Sequence, residues 1–381
     1  MKRIICLILA LALTLTALCG VTMAAKVDNI ADAKVTLTAG DGTVTYWNNL
    51  ETGLMAEAAK LPGTSTITLL QDLNFVDNET DNMYIRIPHT GYPDNNPDAN
   101  PIVLDMAGHT ISYSGGPANL FTCEGDSNFT VKNGTIIYTC EGNTRVPFQY
   151  GTSSGAVGDW MTGEAYTAVL NLENVKLYNL TAKAGRIVNT FLWTLEVNAK
   201  DCVLWTDGTG QAAFEMRKGG QSNAITPYTG EHNCVFNFEN TVIGSATADH
   251  AVFKAADKTT VNMTNSKIVA TGALVDGSVT IQSQYEATTE AWSSTKPDGT
   301  AISGNATVYA PKAAPETPAQ PTTPAVPETP VAPTTPTTPT TPSVPTTNIP
   351  DVSVPTTGVS VVALGVMALV SLAGAAAAKK H

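Results

Sequence analysis

The chain has 381 residues, with 33 acidic against 21 basic side chains and a formal net charge of −12. That balance argues against nucleic acid and anionic membrane surfaces as partners, because both demand a basic footprint. Between the two ends lie roughly 285 residues, enough for one large domain or two small ones, and they read as one elongated domain.

At the start, Lys2 and Arg3 precede an apolar run from Ile4 to Leu18 and small residues at Thr22, Ala24 and Ala25. This is the layout of a secretory signal peptide over residues 1–25; its apolar core falls short of the roughly 20 residues that span a bilayer. Residues 26–62 then read as a short α/β cap. Lys34–Leu37 and Thr43–Trp47 have strand character, and Asn49–Lys60 sets Leu50, Leu54, Met55 and Ala58 at helical spacing.

After Leu61-Pro62-Gly63 the chain changes to short β-rich pieces separated by Gly, Asn and Asp, with no further helix expected up to residue 309. The pieces repeat one pattern: apolar, polar, Asn, two variable residues, apolar. Val131 to Ile136, Leu172 to Leu177, Phe238 to Ile243 and Met263 to Ile268 carry it, and Ala199 to Leu204 is a variant with Asp. The turn positions are Asn133, Asn174, Asp201, Asn240 and Asn265, and Leu104 to Ile111 is an earlier member. A recurring step near 25 residues, lengthened twice, signals a solenoid whose coils bury their apolar side chains against each other. The longer steps place insertions at about Gly142 to Glu164 and Arg217 to His232, and inserted loops on a solenoid usually line its binding face.

The stretch Ile67-Thr68-Leu69-Leu70-Gln71-Asp72-Leu73, together with Leu104 to Ile111, resembles the opening coils of the pectate-lyase-like β-helix family, a likeness spanning roughly residues 65 to 282. The resemblance implies an all-β, right-handed parallel β-helix in which asparagines stack at one turn. It also raises polysaccharide cleavage as an activity, although fold alone does not supply function. Arg86, Arg145, Arg186 and Arg217 lie in no local motif with several acidic residues. Asp201 and Glu215 are a carboxylate pair that could meet across coils, but a turn role accounts for Asp201 without catalysis. His109 and His250 read as structural rather than as general bases. Asp94 to Asp98 alternates oxygen ligands, yet Ala99 and Asp105 stand where a calcium loop needs Gly and Glu. No cofactor or metal site is expected. Tyr150, Trp160, Tyr166 and Tyr228, near the insertions, are candidates for stacking on sugar rings.

Cys123 and Cys140 sit in two copies of Thr-Cys-Glu-Gly, and Cys202 and Cys234 complete the set outside the signal. Disulfide pairing and buried thiols both remain open; the absence of a Cys-Xaa-Xaa-Cys spacing speaks against metal.

Residues 310–353 are dominated by Pro and Thr, with Pro-Glu-Thr-Pro from Pro315 and Pro327 and Pro-Thr-Thr-Pro from Pro321, Pro333, Pro336 and Pro339. Such composition builds no core and favours an extended, disordered stalk. Val354-Pro355-Thr356-Thr357-Gly358 follows, then an apolar run over 359–378, then Lys379, Lys380 and His381. The run is long enough to cross a membrane as a helix, with the lysines held on the cytoplasmic side. Residues 354–381 resemble the cell-wall sorting signal of Gram-positive surface proteins, departing from its Leu-Pro-Xaa-Thr-Gly pattern in having Val354 for Leu. The resemblance implies that a sortase thiol cuts Thr357-Gly358 and passes the chain to a peptidoglycan amine. Sortase and peptidoglycan are therefore the expected partners at this end. For the body, the expectation is a non-catalytic, adhesin-like domain binding an extracellular glycan or host surface component, against a polysaccharide lyase or glycosidase and a structural envelope protein.

Overall fold

The computed structural model describes residues 24–77, 83–88, 100–123, 127–142, 145–151, 167–191, 194–217 and 233–312. They belong to one compact unit, Met1–Pro315; a second unit, Glu316–His381, lies outside the described residues. The signal run, nearly all of the stalk, the sorting motif Val354–Gly358 and the apolar segment 359–378 are thus outside the description. Among the described residues no helix is long and apolar enough to cross a membrane.

The described chain is mostly strand. One sheet carries 23 strands, most pairs in it parallel, and the one α-helix described is Thr52–Lys60. That helix buries Leu54, Met55, Ala58 and Ala59 along one face and stops at Leu61, held extended because Pro62 follows it. Ser65 Oγ donates to the Ala58 carbonyl at 2.9 Å, fixing the helix end on the first parallel strand.

The parallel strands align in three ladders. The first runs through Ser65–Leu69, Ile102–Asp105, the beginning of Asn128–Cys140, the beginning of Thr167–Asn179, Thr194–Lys200, Cys234–Glu239 and the end of Phe253–Thr264. The second runs through Leu73–Asp77, Thr110–Gly115, the ends of the two 13-residue strands, Val203–Thr206, Val242–Ser245 and Ser266–Ala270. The third runs through Met83–Ile87, Asn119–Cys123, Phe148–Tyr150, Val188–Thr190, Phe214–Met216 and the beginning of Phe253–Thr264. Strand Val275–Gln282 closes the first and third. Alternation along each strand turns one set of side chains inward. Phe121 stacks on Phe148 at 5.3 Å and Phe214 on Phe253 at 5.1 Å, so like residues of successive rungs pack on one another within the core.

The corner between first and second ladders is a tight turn with one residue in left-handed backbone. Asn133, Asn174, Asp201, Asn240 and Asn265 occupy it, with φ between 48° and 57°. Asn and Asp tolerate this region better than other L residues. Asn133 Nδ2 donates to Asp105 Oδ1 (3.1 Å), Asn174 Nδ2 to Asn133 Oδ1 (3.3 Å) and Asn240 Nδ2 to Asp201 Oδ1 (3.1 Å). Gly134 follows the first of them because a Cβ there would lie 2.5 Å from the His109 carbonyl oxygen.

Both ends of the stack change to antiparallel pairing. Val35–Thr38 pairs with Ser65–Leu69, and Val44–Trp47 with Val35–Thr38. At the other end Ala301–Tyr309 pairs with Ser266–Ala270 and with Thr288–Thr295, forming a hairpin. The hairpin lies over an outward apolar patch of the second ladder: Trp292 stacks on Trp205 with ring centroids 5.8 Å apart, and Ile302, Ala306 and Val308 join Tyr178 and Val269. Asp207 accepts from Trp205 Nε1 and from Lys296 Nζ, each at 2.7 Å.

Candidate functional site

The third ladder carries the long connections. Stretches 89–99, 124–126, 152–166, 192–193 and 218–232, all outside the described residues, each follow one of its strands. The expected insertion at Arg217 to His232 leaves from this corner, whereas the one at Gly142 to Glu164 is interrupted by the third-ladder strand Phe148–Tyr150 and only its later part follows that strand. Trp160, Tyr166 and Tyr228 fall within these stretches, and so does Asp94 to Asp98; both lie outside the described residues.

Strands of three residues in this ladder send their first and third side chains inward and the middle one out. The outward positions form a row, rung by rung: Arg86, Thr122, Gln149, Asn189, Glu215, Lys254 and Asp276. Tyr150 is a third-position residue. It is fully buried, with burial and the neighbouring Cys123 thiol pushing its hydroxyl pKa well up, and so it is not a glycan contact. Its proximity in sequence to an insertion concealed the two-residue period that turns it into the core.

Within the row, polar groups bond along the stack. Asn189 Nδ2 donates to Gln149 Oε1 at 2.7 Å, and Gln149 Nε2 donates to the carbonyls of Tyr150 and Gly151 at 3.0 Å each. Both carboxamides are buried, and Asn189 Oδ1 has no partner among the described residues. Glu215 sits between two arginines. Arg186 reaches it from the connection before Val188, with its side chain 2% exposed, and Arg217 Nε lies 3.2 Å from Oε1. Burial pushes the Arg186 guanidinium pKa down, with Glu215 opposing it. The Arg217 guanidinium also covers the Phe191 ring at 5.4 Å, which places a cation and an aromatic face together where the connections begin. One rung on, Lys254 Nζ is 3.4 Å from Asp276 Oδ2.

This geometry restricts the chemistry. Glu215 is ion-paired on both sides, to Arg186 and to Arg217. Its nearest outward carboxylate in the row, Asp276, is two rungs away, on the order of 10 Å at the usual strand spacing, with Lys254 between them. Asp201 does not meet Glu215: it lies in the turn between the first two ladders and accepts from Asn240. His109 belongs to the turn at Met106 to Thr110, with Nδ1 3.2 Å from Asp72 Oδ1. Asp72 also accepts from the Thr110 amide, which with His109 holds its carboxyl below the usual range. His250 lies on a different connection. Cys123, Cys140, Cys202 and Cys234 are all buried thiols and form no disulfide. Among the described residues no group of three or more His, Cys, Asp or Glu side chains could hold a metal.

Sequence reading singled out none of Gln149, Asn189 or Arg186 as a site residue, and it considered Glu215 with the wrong partner. The available signal was a polar residue between two apolar ones in short segments preceding a long connection, Phe148-Gln149-Tyr150 and Phe214-Glu215-Met216. No protein-family model matches the chain, and no curated protein or solved structure matches it either.

Proposed function

We propose that this chain is an exported protein displayed on a Gram-positive cell wall. Its body is a right-handed parallel β-helix that binds an extracellular glycan or host surface component without cleaving it. The observation that carries the reading is the outward row of the third ladder. It sets the buried, mutually bonded carboxamides of Gln149 and Asn189 next to ion-paired charges, and its central carboxylate is neutralised by Arg186 and Arg217. A row of fixed, hydrogen-bonded and ion-paired groups suits recognition better than proton transfer, and Trp160, Tyr166 and Tyr228 belong in sequence to the connections that follow strands of this ladder. Three parallel ladders whose first corner carries Asn or Asp in left-handed backbone on five successive rungs support the β-helix. The signal-like start and the sorting-like end support export and wall attachment through sortase.

A second reading, a wall-displayed polysaccharide lyase or glycosidase, draws on Lys254 standing between Glu215 and Asp276. A glycan-array screen of the full chain, run with product analysis on pectin, other uronic-acid polymers and mucin glycans, separates the two. Saturable binding without released product is the expected result. Unsaturated or reducing sugars in the supernatant would establish the enzyme instead, and a bare array would leave a structural envelope role.

A further inference from the structure

The outer face of the first ladder holds a second row of asparagines, distinct from the turn row and from the third ladder. Asn171 Nδ2 donates to Thr130 Oγ1 at 3.1 Å, Asn198 Nδ2 to Asn171 Oδ1 at 3.0 Å, Asn237 Nδ2 to Asn198 Oδ1 at 2.7 Å, and Asn262 Nδ2 to Asn237 Oδ1 at 2.7 Å. All four are half-buried in mid-strand, where Asn is a poorly favoured residue. The backbone there is already paired within the ladder, so the strands themselves do not call for these amides.

Two residues further along each strand, Glu173, Lys200, Glu239 and Thr264 form a parallel rim, and between rim and amides lies a trough of about 320 Å³. Lys200 and Glu239 close on each other at 2.8 Å. The rim alternates in sign and presents no field of one charge, which removes any electrostatic preference for a polyanion. Each amide has two N–H donors and two acceptor positions. After the ladder bonds, Asn171 and Asn237 each keep one N–H and one acceptor position for a ligand, while Asn198 spends its second N–H on Glu196 Oε1 at 3.1 Å. A donor beside an acceptor matches a pair of neighbouring hydroxyls. The amides recur at the strand spacing of about 4.8 Å, close to the advance per ring of an extended β-linked sugar chain, and the free donor–acceptor pairs of Asn171 and Asn237 stand two such steps apart. From Thr130 to Asn262 the row makes four such steps, about 19 Å in all.

We propose that this trough is a binding site for an uncharged, extended β-linked glycan of about four rings, lying along the stack across the strands. The site is independent of the loop-bearing corner. Calorimetric titration of the full chain with neutral β-1,4-linked gluco-oligosaccharides of two to six rings tests it. Affinity should rise at least tenfold from disaccharide to tetrasaccharide and then level off, and an oligouronate of four rings should bind at least tenfold more weakly. Asn237→Val should lose at least tenfold, while Lys254→Ala on the third ladder should bind normally. If Asn237→Val lowers the melting temperature, Glu173→Arg fills the trough from the solvated rim without touching the amide bonds and should show the same loss. No binding at millimolar sugar, affinity that ignores chain length, equal affinity for the uronate, or a loss on Lys254→Ala with none on Asn237→Val or Glu173→Arg would each overturn the proposal.

Discussion

A residue with positive φ stands at six of the turns between the first two ladders, and side-chain chemistry decides how much that position costs. An asparagine there both tolerates the backbone and, with its carboxamide, can donate to the rung before and accept from the rung after. Asp201 can only accept. It receives Asn240 Nδ2 but has no N–H to offer Asn174, so the turn row is broken between the rungs of Asn174 and Asp201. Asp201→Asn restores the missing donor and should raise stability by about 0.5–1.5 kcal/mol, the usual net worth of one hydrogen bond, read as a shift of the urea midpoint at constant slope. Next in the chain, Cys202 titrates against folding. Burial pushes its thiol up to about 11 from an ordinary 9.0, so between those pH values the unfolded chain releases a proton that the native chain keeps. Stability is therefore full below pH 9 and falls as pH rises toward 11. Urea unfolding at neutral pH and at the top of that window should show the native chain losing about 2 kcal/mol more than Cys202→Ala.

At the level of elements, what could be read from the sequence was whatever local backbone demands. The helix was legible because Leu54, Met55 and Ala58 fall on one face. The turn asparagines were legible because left-handed backbone selects so few residues, and their spacing is the register that places Lys132 beside Glu173, Lys200 beside Glu239 and Glu239 beside Thr264. The second asparagine row was legible too, as an Asn or Thr three residues before each turn residue: Thr130, Asn171, Asn198, Asn237 and Asn262. It was missed because a half-exposed asparagine in a strand has no local conformational signature. The C-terminal hairpin was less accessible still, since its partner surface is assembled from distant rungs. Gly244 shows how closely that surface is fitted: a Cβ at this position would lie 2.0 Å from Trp205 Cε3. Gly244→Ala should displace the Trp205 indole and cost about 1–3 kcal/mol by overpacking. The near-ultraviolet circular dichroism of the Trp205–Trp292 stack should fall before the far-ultraviolet strand signal does.

For the whole molecule, each rung touches only its neighbours, so stability accumulates rung by rung and the two antiparallel ends act as stops. Removing residues 354–381 should leave the stack intact and, on the proposed anchoring, release the chain into the medium; retention in the wall fraction of the parent cells would refute that anchoring. The hairpin then has a mechanical meaning. On the proposed anchoring and binding, tension enters the sheet through strand Ala301–Tyr309, which is joined to the parallel stack by four residue pairs. That short junction and the Trp205–Trp292 contact bear the load first. Once they part, the 27 residues from 283 to 309 can pay out roughly 90 Å of slack at 3.3–3.6 Å each, while the parallel rungs and whatever they grip stay whole. The last strands of the domain thus form a shock absorber in series with the tether.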